Sequence, residues 1–151
     1  MTPSRPTDSL ARVRLFLLAT LVLGLVGTGT ELLLIGHTAE LTQIIPVASI
    51  GLGLLACPLV ALRSSRATVQ LFRGVMGLFI VAGILGLILH YRGNVEFELE
   101  MRPTMSGWEL IWNALTGATP ALAPGSMVLL GLLGVLYTFR HPALGREPGE
   151  G

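Results

Sequence analysis

The chain has 151 residues, of which 52% are hydrophobic and 13% are charged, and its formal net charge is +1. Its mean hydropathy of +0.72 is too high for an ordinary soluble domain or a disordered chain. The balanced charge disfavours a nucleic-acid-binding protein, and a single cysteine, Cys57, cannot form an intramolecular disulfide framework. The composition therefore predicts an integral membrane protein, and no motif discloses a reaction or a substrate.

Runs without charged residues predict where the chain crosses the membrane. A helix needs roughly 20 apolar residues to cross a hydrocarbon core about 30 Å thick. Four runs meet this requirement, in a single membrane domain of residues 1–151: about 13–35, 41–62, 71–90 and 118–139. The third run is long enough only if Arg73 extends its side chain to the headgroups. The predicted fold is an all-α integral membrane protein, a four-transmembrane-helix bundle with a short extracytoplasmic strand and an interfacial amphipathic helix.

The arginines predict the orientation, because positively charged loops stay in the cytoplasm. Eight of the ten arginines precede the first span, lie between the second and third, or follow the fourth, whereas Arg92 and Arg102 lie on the other side. We expect both termini in the cytoplasm and a multi-pass protein of a bacterial cytoplasmic (inner) membrane. The bacterial assignment comes from the use of arginine without lysine. The first apolar run exceeds an ordinary signal-peptide core, so we expect it to remain as a helix.

The outer segment, residues 91–117, changes its hydrophobic period twice. Val95, Phe97, Leu99 and Met101 alternate with charged residues, and this period of two predicts a short strand that Pro103 ends. An isolated strand needs a partner, which favours an oligomer or a complex.

The second pattern of the outer segment is helical. Ser106 and Glu109 have the spacing of a capping box, and apolar residues follow at helical spacing. We expect this helix to lie flat on the outer membrane surface, with Trp108 and Trp112 as interfacial anchors. Pro120 is then expected to open the fourth span.

Four polar residues form the candidate site. Glu31 is the one acidic residue within a predicted span. His90 lies at a similar depth on the third span, at the end of a stripe of small residues that includes Gly83. His37 and Glu40 lie in the adjoining loop. The expectations are a Glu31–His90 pair of structural or functional use, a divalent metal held by His and Glu, a haem bound by His37 and His90, or a proton or quinone site. No spacing is diagnostic, so the metal and the cofactor stay unknown, and no catalytic residue is assigned.

The leading functional expectation is an accessory or structural subunit of a membrane complex, or a homo-oligomer. The alternatives are a small transporter or channel with an outer polar site, and a metal- or haem-binding redox subunit. The expected partners are membrane lipid and other membrane-protein subunits or a second copy of the chain, and not nucleic acid. The chain is not expected to be an enzyme.

Overall fold

The computed structural model describes residues 6–117 and 119–145, and within these ranges the protein is helical with no strand. Arg5 and Arg146, which the orientation argument used, lie outside the described residues, as does the first residue of the predicted fourth span. Five α-helices are followed by a short 3₁₀ turn at Pro142–Leu144. The helices are α1 (Pro6–Leu34), α2 (Leu41–Leu62), α3 (Arg66–Met101), α4 (Gly107–Leu115) and α5 (Gly125–Tyr137).

Three of these helices are long and apolar enough to cross a membrane: α1 from Ser9 onward, α2 and α3. The predicted fourth span is a shorter apolar helix, because α5 has 13 residues and is about 20 Å long. A turn lengthens it, since the amide of Ala123 donates to the carbonyl of Pro120 at 3.0 Å. Large leucines such as Leu23, Leu55 and Leu62 are exposed on the outside of the helices. Such a surface suits lipid and not water.

The four apolar helices form a closed ring in the order α1, α2, α3, α5, in which each helix packs against its two neighbours. Neighbouring helices are antiparallel and approach at glycines, because small residues let membrane helices come close together. A Cβ at Gly53 would lie 2.9 Å from Phe79, and a Cβ at Gly131 would lie 2.7 Å from the carbonyl oxygen of Met76. Phe79 and Met76 are fully buried, and Cys57 is buried as well. These contacts make a helical bundle with a core in its centre.

The bundle has two distinct ends. The histidine end carries the α1–α2 turn with His37, and His90 of α3. The arginine end carries Arg14 of α1 and Arg73 of α3, together with the chain that leaves α5. The antiparallel order brings the first helix's start and the last helix's end to the arginine end.

The predicted strand at 95–102 is wrong, because α3 continues as a helix through Met101. The half-buried positions are Val95, Glu98 and Leu99, which follow a helical period, whereas Phe97 is exposed. Arg102 strengthens this last turn through an ion pair with Glu98 at 2.7 Å, four residues earlier. The alternating sequence is short enough to fit both periods, and packing against α4 selects the helical one. The argument for an oligomer that rested on an unpaired strand is therefore lost.

Helix α4 begins where the sequence predicts, but its predicted capping box is wrong. Ser106 is the N-cap residue, yet its side chain makes no capping hydrogen bond. A capping box occurs instead at α3, where the amide of Thr68 donates to Oγ of Ser65 at 3.2 Å and the amide of Ser65 donates back to Oγ1 of Thr68 at 3.0 Å.

Candidate functional site

The turn between α1 and α2 places His37. Gly36 has a φ of +66°, a left-handed conformation that glycine adopts without strain. The amide of His37 donates to the carbonyl of Leu32 at 2.9 Å, and the amide of Gly36 donates to the carbonyl of Leu33 at 3.1 Å. This is the Schellman arrangement, in which a glycine just past the last turn ends the helix. The motif holds His37 directly beyond the end of α1.

The histidine end brings His37 beside His90, which the sequence predicted as members of one polar site. Their ring centres are 6.4 Å apart and the ring planes are tilted by 41°. Nδ1 of His90 is buried and has no hydrogen-bond partner. In residues 6–117 and 119–145, no hydrogen bond or ion pair involves either imidazole ring.

The two acidic members of the predicted site are exposed. No ion pair joins Glu31 to His90 within the described ranges, so the expected pair is not formed and His37 is the aromatic neighbour of His90. The backbone amide of Glu40 donates to Oε1 of Gln43 at 3.4 Å, at the start of α2. The described part of the chain holds no group of three or more metal-ligating His, Cys, Asp or Glu side chains.

A groove of about 380 Å³ adjoins His90. Its polar contributors are His90, Asn94 and Thr119. The full lining is Leu89, His90, Gly93, Asn94, Phe97 and Thr119.

Asn94 is the residue of this region that the sequence reading missed. It is 2% exposed, and it joins three segments of the chain. Its Nδ2 donates to the carbonyls of Ala114 at 2.8 Å and Thr119 at 2.7 Å. Its Oδ1 accepts from the amide of Thr119 at 3.2 Å and from Oγ1 of Thr119 at 2.6 Å. All four hydrogen-bonding positions of the amide are thus filled. The sequence does contain a signal for this role, because Asn94 is an isolated uncharged polar residue in a run that is otherwise apolar or charged.

Residues 91–117 form an α3–α4 hairpin above the histidine pair. Asn94 holds Ala114 near the end of α4, and Arg102 lies 3.4 Å from Glu109 near its start. These two contacts make α4 run back along α3. The side of α4 away from α3 is apolar, with Trp108 72% exposed and Trp112 56% exposed.

The arginine end is closed by side chains that bind the chain leaving α5. Nη2 of Arg14 donates to the carbonyl of Arg140 at 2.6 Å, and Nε of Arg73 donates to Oγ1 of Thr138 at 3.1 Å. Cations at a helix C-terminus satisfy carbonyls that have no partner within the helix. Nδ1 of the buried His141 accepts from the amide of Ala143 at 3.2 Å. Burial, and secondarily the positive charge of Arg14, lower the pKa of His141 below 6.5.

Comparison of the chain with protein-family models, with curated proteins and with solved structures finds no match.

Proposed function

We propose that this protein is an accessory or structural subunit of a membrane complex, and that it binds a neighbouring subunit through its α3–α4 hairpin. The observation that carries the proposal is the apolar face of Trp108, Ile111 and Trp112, which is exposed on a hairpin held by buried hydrogen bonds. Exposed aromatic side chains on a rigid support are typical of interface anchors.

The height of Trp108 above the bundle favours a protein over lipid as the partner of this end of the face. We take the membrane boundary to lie at the level of the α1–α2 turn, and therefore near His37 and the neighbouring His90. Arg102 is twelve residues beyond His90, hence about 18 Å along the helix axis. The headgroup layer of one leaflet is about 5–8 Å thick. Even a helix tilted by about 40° would keep Arg102 about 14 Å from the boundary. Glu109 pairs with Arg102, so Trp108, the residue before Glu109, lies at a similar height.

The charge around the apolar face indicates the kind of partner. Residues 91–117 contain four glutamates and two arginines. Glu96 and Glu100 are exposed, as is Glu109. A second copy would oppose like charges across the interface, which disfavours a dimer through this face. We therefore propose a partner with an apolar pocket in its extramembrane part and a basic rim.

The proposal includes an orientation. The histidine end is taken as extracytoplasmic, because in the described ranges the arginine end carries most of the arginines, including Arg12, Arg63 and Arg66. The membrane is taken as the inner membrane of a bacterium. A reporter fused at the C-terminus and one inserted at the exposed Thr104, in the turn between α3 and α4, test this orientation.

The test of the partner uses the double variant Trp108→Ala/Trp112→Ala in native membranes, with Leu55→Ala/Leu62→Ala as an apolar control on the outside of α2. A photo-crosslinking residue at position 111 should capture one protein, whose association weakens with salt. The tryptophan variant should weaken that association at least 30-fold, since the loss of even one anchor costs about 2 kcal/mol. The leucine control should leave the association unchanged. Crosslinks to lipid or to a second copy would contradict the proposal, as would tryptophan fluorescence quenched by shallow lipid-borne quenchers.

A further inference from the structure

The chain has three histidines, and the fold brings two of them together. His37 lies in the turn after α1 and His90 lies on α3, with ring centres 6.4 Å apart. His141 belongs to the other end of the bundle, where its Nδ1 is occupied by the amide of Ala143. The histidine end therefore holds a pair of imidazoles whose nitrogens are not engaged by any side chain or carbonyl among the described residues.

The spacing of the pair suits one shared metal ion. A metal–nitrogen bond of about 2.0–2.1 Å and a ring nitrogen about 1.1 Å from the ring centre put each centre about 3.2 Å from the metal. Two rings on one ion then have centres about 4.5 Å apart at a right angle, about 5.2 Å apart in a tetrahedral arrangement and about 6.4 Å apart when opposed. The observed 6.4 Å separation is at the upper end of this range. A closure of about 1 Å by the His37 turn would give the tetrahedral value.

We propose that His37 and His90 bind one divalent late transition-metal ion, with solvent in its remaining coordination positions. Two observations support the assignment besides the spacing. Nδ1 of His90 is buried without a hydrogen-bond partner, which leaves a ligating nitrogen vacant. His90 also borders the groove of about 380 Å³, which offers an ion a path to this member of the pair.

The donor set selects the class of ion. Imidazole nitrogen binds Cu²⁺, Ni²⁺ and Zn²⁺, whereas Mg²⁺ and Ca²⁺ prefer oxygen ligands. Because the described chain offers no group of three ligating side chains here, at least two positions remain for water or an external ligand. Such an open site differs from a closed structural zinc site.

The full chain, purified in detergent without a polyhistidine tag, is titrated with Zn²⁺ and, separately, with Cu²⁺. We expect one Zn²⁺ per chain, with affinity reduced at least tenfold in His37→Ala and in His90→Ala and unchanged in His141→Ala. The electron paramagnetic resonance spectrum of Cu²⁺ should show two nitrogen ligands in the wild type and one in either variant. Equal affinity in the wild type and the two variants would overturn the proposal, and so would a wild type that binds no ion.

A second measurement uses the wild type, so that it does not depend on how the variants fold. Diethyl pyrocarbonate modifies free imidazoles, and the modified positions are read by mass spectrometry. Bound Zn²⁺ should protect His37 and His90 together, with the same concentration dependence. Modification of both residues at saturating Zn²⁺ would contradict the site, and a haem absorbance band in the purified protein would replace the ion with a haem.

Discussion

Replacement of Asn94 by alanine should release α4 from α3 while leaving the four-helix ring intact. The asparagine amide makes four hydrogen bonds, to Ala114 and to three groups of Thr119. Two of the three segments that it joins, α4 and the chain at Thr119, lie beyond the bundle. We therefore expect a local loss of stability and not a global one.

The magnitude follows from which of these groups water can reach after the substitution. Thr119 is exposed, so water replaces much of what its three groups lose. Ala114 is fully buried, so its carbonyl bears the larger penalty. A net hydrogen bond contributes about 1 kcal/mol, and an unsatisfied buried group costs about 1–3 kcal/mol. The sum, reduced for the water at Thr119, is about 2 kcal/mol against opening of α4.

Hydrogen exchange in detergent or nanodiscs measures this change directly. A loss of about 2 kcal/mol should speed the exchange of α4 amides about 30-fold, with little change in the core of α3. Asn113→Ala is the matched control, because Nδ2 of Asn113 donates to the carbonyl of Glu109 within α4 at 2.8 Å and joins no second segment. Its effect should stay below threefold. Equal exchange in the two variants would refute the role given to Asn94.

Two further predictions concern the bundle and its arginine end. Gly131→Ala should destabilise the protein by about 1–3 kcal/mol through overpacking, because the added Cβ would meet the backbone of α3. Gly51→Ala is the control: its Cβ would have open space, so the substitution should be neutral or slightly stabilising. Thermal melting in detergent measures both variants. Because the pKa of His141 is lowered in the folded protein, His141 takes up a proton in the unfolded chain at a higher pH than in the folded protein. The stability that His141 contributes is therefore complete above about pH 6.5, and it is lost as the pH falls from 6.5 through the pKa of the folded state. The melting temperature of the wild type should fall over that pH range. The melting temperature of His141→Asn should fall less, because asparagine keeps an acceptor for the amide of Ala143 and does not titrate near neutral pH. Parallel curves of melting temperature against pH would show that His141 does not cause the pH dependence.

The sequence by itself predicted a helical membrane protein and the boundaries of α2, whereas α1 and α3 are longer than the predicted 13–35 and 71–90, and α5 is shorter than the predicted 118–139. Hydropathy summed over about 20 residues identifies a span whatever the span packs against. The ends of α2 agree with the predicted 41–62, and Ser106 immediately precedes α4. The stripe of small residues on the third span also predicted a face on which helices meet, because a Cβ at Gly83 would lie 2.8 Å from the backbone nitrogen of Val128 in α5. These are local properties of composition, period and backbone conformation.

The candidate site was predicted only in part. His37 was placed in one site with His90 because its loop adjoins the outer end of the first span, and the two ring centres are 6.4 Å apart. Glu31 was expected beside His90 because the two residues have matching depths, but Glu31 is exposed and forms no ion pair among the described residues. Depth along a helix follows from counting residues, whereas the direction of a side chain around the helix depends on how that helix is rotated against its neighbours.

Only the tertiary structure decided the conformation of residues 95–101 and the role of Asn94. Seven residues with alternating polarity fit a strand or one side of a helix, and Val95 and Leu99 are half-buried in the helical form of α3, which packs against α4. Asn94 finds its partners in Ala114 and Thr119, which are separated from it by a turn and another helix. The transfer of an apolar segment from water to lipid depends on the segment alone. The pairing of side chains depends on the register and rotation of helices that are distant in the chain, and only the assembled bundle sets these.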